Sequence, residues 1–181
     1  MAGFQRARDF FYAFFFMCHL ITSLGFDAQV LFDRRIFPDV LRDTMDSYIS
    51  AYKDPIVGIG PGWLKAILYF EIIFQVPFLV FGVFGALSGA PWMRIPSIVY
   101  GTSLMTMMIP MLGFVLLDDF RLAKTGPASL DERLRLAGIY GYFLLGGTTI
   151  LVDNLFFRRA STESFMWRKT MKKNTTSKKV R

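Results

Sequence analysis

The chain has 181 residues, enough for one domain, and 53% of them are hydrophobic against 19% charged. That balance, with twenty Phe, departs from a soluble domain and leans toward lipid. A single cysteine, Cys18, and a single histidine, His19, exclude a disulfide framework within the chain, a cysteine zinc site and a histidine metal site. Although the net charge is +7, nine of the 21 Lys and Arg lie in the last 24 residues. The excess is therefore a tail beside apolar spans, a topology and lipid-surface device and not a nucleic-acid face.

Four apolar runs follow in order, at 10–32, 64–87, 95–117 and 134–157. Each is close to the ~20 residues that cross a hydrocarbon core of about 30 Å. The expected fold is an all-α membrane bundle of four transmembrane helices over residues 1–157, followed by a basic cytosolic tail at 158–181. The first run begins after RARD and passes into FDAQVLF without a small-x-small cleavage site, so it is expected to be a retained span and not a signal peptide.

An even number of spans puts both termini on one side. Cytosolic termini place Arg6, Arg8, Arg94 and the nine tail cations on that side. Arg34, Arg35, Arg42, Lys53, Arg121, Lys124 and Arg133 then fall on the other. The positive-inside bias favours this arrangement, with residues 33–63 lumenal.

Within that connection, IFPDVLRDTMDSYISAYK predicts an amphipathic helix. Pro38 and Asp39 suit a first turn. Val40, Leu41, Met45, Tyr48, Ile49 and Tyr52 recur at helical spacing, with Asp39, Asp43 and Asp46 between them. The turn-rich DPIVGIGPGW then leads into the second span. Inside the spans, Pro77 and Pro110 each remove a backbone bond. Gly82 with Ala86, and Gly85 with Gly89, allow close helix approach.

The second span carries Glu71 about 10 Å from its start, and Gln75 one turn on. A charge at that depth costs several kcal/mol unless it is paired, protonated or facing a cavity. Two readings fit: a protonated acid that bonds helices together, or the polar lining of a ligand pocket. His19, Ser23 and Asp27 share one helical face and form a polar stripe toward the same cavity. Asp27, Asp54 and Glu71 all belong to the far half of the membrane, where converging acids would share protons. Such a set, walled by apolar and aromatic residues, suits a cationic amine or a sterol hydroxyl.

The blocks HLITSLGFD, KDP, WLKAILYFEIIFQVPF, IPSIVYGTSLMTMMIP and ERLRLAGIY, in this order, resemble the sigma-2 receptor family. That family carries the EXPERA domain, shared with the sterol isomerase emopamil-binding protein. The resemblance runs from His19 to Tyr140. It implies a four-helix protein of the endoplasmic reticulum membrane that dimerises and binds sterols and amphiphilic amines. By position it makes Asp27 the acid facing a ligand amine, with Asp54 hydrogen-bonded beside it. Glu71 and Gln75 fall on the polar positions of the second span, and Tyr48, Tyr100, Thr106 and Tyr140 fall around the pocket. The isomerase pattern has a histidine where this chain has Ile67, and an acid in the third span, where residues 95–117 have none. A binding protein without a cofactor is therefore expected, and not an enzyme. The alternative is a protein that holds membrane-protein clients or precursors. The terminal Lys178-Lys179-Val180-Arg181 resembles a K-K-x-x retrieval signal, a receptor-read address.

Overall fold

The computed structural model describes residues 2–120 and 126–157. Four helices are long and apolar enough to cross a membrane: Gln5–Leu31, Gly62–Leu87, Pro91–Leu117 and Leu130–Phe157. They form an all-α bundle in which the third and fourth spans pack most extensively, and the first packs on the second. Phe14, Phe81 and Phe84 point outward at 65–68% exposure, as expected where hydrocarbon is the solvent. The tail at 158–181, with Lys178 and Lys179, lies outside the described residues, as do Arg121 and Lys124.

Close approach between the third and fourth spans depends on missing side chains. A Cβ on Gly101 would stand 2.8 Å from the Gly147 carbonyl oxygen, and one on Gly146 would enter the Phe15 ring. Small residues at these positions let backbones touch, which is the main source of helix attraction in lipid.

Three of the spans contain a widened π-helical turn, at Ser23–Asp27, Glu71–Gln75 and Asp153–Phe157. Two of them carry the polar residues that the sequence singles out. The turn at Glu71–Gln75 comes immediately before Pro77, whose ring would collide with the Ile73 carbonyl in a regular helix. Widening the turn relieves that conflict. At the first turn, the Gln29 amide donates to the Gly25 carbonyl at 2.6 Å and to the Leu41 carbonyl at 3.1 Å. That bridge fastens the first span to the connecting helix.

The connecting helix runs Asp39–Tyr52 and ends at Lys53, which adopts left-handed geometry. Its inward stripe is narrower than the sequence pattern predicts: Met45 is buried, whereas Val40 is 74% exposed. Leu41, Met45, Tyr48 and Ile49 suffice to seat the helix. Beyond it, Asp54 caps the short helix Pro55–Ile59. Lys53 reaches Glu132 at 2.5 Å, and Glu132 closes a capping box with Ser129 at the start of the fourth span. The end of the connecting helix is thereby held against the bundle.

Candidate ligand pocket

Beneath the connecting helix lies a cavity of about 260 Å³ to which all four spans contribute. The first span supplies His19, Thr22 and Asp27, and the second supplies Leu68 and Glu71. Met108 and Met111 of the third and Tyr140 and Phe143 of the fourth complete the walls. Met45 and Tyr48 of the connecting helix form the cover. Methionines and aromatic rings make this an adaptable apolar container with few polar points.

Asp54 is fully buried. One oxygen accepts the backbone amides of Ile56 at 2.9 Å and Val57 at 3.3 Å. The other accepts the hydroxyls of Tyr48 at 2.7 Å and Tyr140 at 2.8 Å. Those four donors occupy its acceptor sites. The resemblance implied a hydrogen bond between Asp54 and Asp27, and the structure gives a different set of partners. The reason is local, because a carboxylate that caps a helix is aimed at that helix's own amides. Burial and the facing Asp54 push the Tyr48 hydroxyl well above the ordinary tyrosine range, so it remains a donor.

Glu71, 3% exposed, is also engaged. It accepts the Ser23 hydroxyl, and His19 Nε2 lies 3.2 Å from its Oε1. The other ring nitrogen of His19 is 2.5 Å from the Tyr100 hydroxyl. With Nε2–H donating to Glu71, Nδ1 accepts from Tyr100, which fixes the tautomer. His19 thus links three spans. The sequence marked it as an interior hydrogen-bonded histidine on the stripe with Ser23 and Asp27, but nothing in the sequence named its partners.

Asp27 differs from the other two acids. It lines the cavity and makes no hydrogen bond or ion pair among the described residues. Glu71 and Asp54 are its charged neighbours, and both are already occupied.

The remaining expected site residues divide. Tyr48, Asp54, Glu71 and Tyr140 meet Asp27 at or around the cavity. Gln75 and Tyr100 are buried but face a separate groove between the second and third spans, with the His19–Tyr100 bond forming part of the wall between the two spaces. Thr106 joins neither. It sits on the exposed side of the third span and donates to the Thr102 carbonyl at 2.9 Å. The widened turns contribute to this partition, because one extra residue per turn rotates everything beyond it.

Among known proteins, the sequence signature of the family EXPERA (EXPanded EBP superfamily) matches residues 40–154. Sigma intracellular receptor 2 of Homo sapiens is 32% identical over 146 residues, covering 78% of this chain and 83% of that protein. Its counterpart in Xenopus tropicalis is 32% identical over 171 residues, covering 93% of this chain and all of that protein.

Proposed function

This chain belongs to the EXPERA family and resembles the sigma-2 receptors over most of its length, and from that premise we propose that it binds an amphiphilic ligand inside the membrane. The ligand is a cationic amine or a sterol, held in the cavity under the connecting helix. One observation carries this reading: Asp27 faces an apolar cavity with no hydrogen-bond partner, while Asp54 and Glu71 beside it are satisfied. An unpartnered carboxylate in such surroundings costs several kcal/mol. An ammonium group would offset that cost, and a sterol hydroxyl would do so in part by donating to the same oxygen.

The other groups hold Asp27 in place. Asp54 and its two tyrosines brace the cover and the fourth span, and Glu71 with Ser23 and His19 braces the opposite wall. The methionines and rings then accept the apolar body of the ligand. In this reading the chain stores, senses or presents a lipid and carries out no bond chemistry on it. The termini face the cytosol, the connecting helix faces the lumen, and the protein resides in the endoplasmic reticulum.

The test is a lipid extraction of the detergent-purified protein, with the bound species identified by mass spectrometry. A stoichiometric sterol or amine, released when a competing amphiphilic amine is added, supports the reading. Only bulk phospholipid, with no displacement by any amine, would overturn it.

A further inference from the structure

A second cavity, of about 320 Å³, lies between the second and third spans and opens toward lipid. Phe74, Ile95 and Val99 at its mouth are 60–68% exposed. Its back wall is aromatic: Phe78 and Tyr100 stack with ring centroids 5.0 Å apart, and Phe70 lies against Phe74 at 5.1 Å.

One atom there is out of balance. Gln75 is 3% exposed, and its Oε1 has no hydrogen-bond partner among the described residues. Its Nε2 donates to the Ser103 hydroxyl at 3.0 Å and lies 3.1 Å from the Met107 sulfur. Flipping the amide does not resolve the imbalance. The Ser103 proton is already given to the Tyr100 carbonyl at 2.9 Å, so the serine oxygen needs a donor and the nitrogen must face it. The unsatisfied atom is an acceptor.

Depth decides what can satisfy it. Gln75 is the fourteenth residue of a 26-residue span, and Ser103 is the thirteenth of a 27-residue span. Both sit near the middle of the hydrocarbon, where no water is available. From there the groove runs apolar for eight residues, about 12 Å, to Ile95 near the span end.

We propose that this groove holds one acyl chain of a membrane lipid that bears a hydroxyl near the chain's middle, with that hydroxyl donating to Gln75 Oε1. A headgroup at the interface by Ile95 and a hydroxyl at mid-membrane match the two ends of the groove. The volume is at the small end of ligand pockets, which favours a single chain over a polycyclic body. Large aromatic walls also disfavour a partner transmembrane helix, since close helix packing in lipid needs small residues. The site is separate from the Asp27 cavity and stands or falls independently of it.

The full chain, in nanodiscs of phosphatidylcholine with equal parts stearoyl and mid-chain hydroxystearoyl lipid, is released and its retained lipids are weighed by native mass spectrometry. Wild type should retain the hydroxylated lipid about fivefold over its plain counterpart, the ratio one hydrogen bond gives. Gln75→Leu removes the acceptor, and Val99→Trp plugs the mouth from an exposed position, so both should bring the ratio to about one. Should Gln75→Leu fail to fold, Val99→Trp decides alone. A wild-type ratio near one would overturn the proposal. So would enrichment that survives Val99→Trp, or equal enrichment of the O-methylated chain, which cannot donate.

Discussion

Tyr140 donates its hydroxyl to Asp54 across 2.8 Å, which ties the fourth span to the segment that opens the second. Tyr48 brings the connecting helix to the same oxygen at 2.7 Å. Three elements distant in sequence therefore meet at one carboxylate. Tyr140→Phe and Tyr48→Phe should each cost about 1 to 2 kcal/mol, and Asp54→Ala, which strands all four donors, should cost more than both together. Asp54→Asn should also weaken amine binding mildly. Thermal unfolding in detergent is the measurement. No loss from either phenylalanine variant would remove Asp54 as a structural hub.

The interface of the third and fourth spans gives a paired test. At Gly101 an added methyl group meets backbone, which cannot rotate away, and Gly101→Ala should cost roughly 1 to 3 kcal/mol. Gly113 lies in the same helix with nothing within 4 Å of an added Cβ. Gly113→Ala should be neutral or slightly stabilising through helix propensity. Equal melting temperatures for the two variants would contradict the observed packing.

These two interfaces show why some of the molecule is legible in the sequence and some is not. Span length and composition mark the four long helices, and the period of Leu41, Met45 and Tyr48 marks the connecting helix. Chemistry at depth marks Asp27 and Glu71, because a carboxylate inside an apolar run always needs an explanation. Rotation is what the sequence hides. The third span is apolar on every side, so no amphipathic stripe says which face of Thr106 or Tyr100 is inward. Nor does a local pattern announce the extra residue at Glu71–Gln75, although Pro77 just after it supplies the steric reason. Thr106 and Gln75 thus leave the acidic cavity through backbone geometry, whatever their residue type.

The proposed topology makes a direct prediction. An N-glycosylation acceptor introduced in the exposed part of the connecting helix, near Asp43, should be modified in cells. Tags at positions 3 and 178 should be protected from lumenal enzymes. Modification of either tag would reverse or break the arrangement drawn from the distribution of Lys and Arg.

Location is a separate matter, because a four-span bundle fits many membranes. Replacing Lys178 and Lys179 with serine should let a fraction of the protein reach later compartments, as imaged against Golgi and surface markers. Unchanged distribution would show that these lysines are not a retrieval signal.

The acid that carries the functional reading gives the sharpest test. Asp27→Asn keeps the size and hydrogen-bonding capacity of the side chain and removes its charge. Because Asp27 makes no hydrogen bond among the described residues, the variant should unfold at the same temperature as wild type or slightly above it. Binding should respond differently for the two ligand types. Removing one partner of a desolvated charge pair costs about 2 to 5 kcal/mol. Amine affinity should therefore fall roughly 30-fold or more. A sterol, recognised through one hydroxyl and apolar contact, keeps an acceptor in the amide oxygen and should lose only a few-fold. Calorimetry or radioligand displacement on the same preparation separates the two. Were the variant to unfold early while the remaining folded protein bound amines normally, Asp27 would be a structural group and the ligand would sit elsewhere.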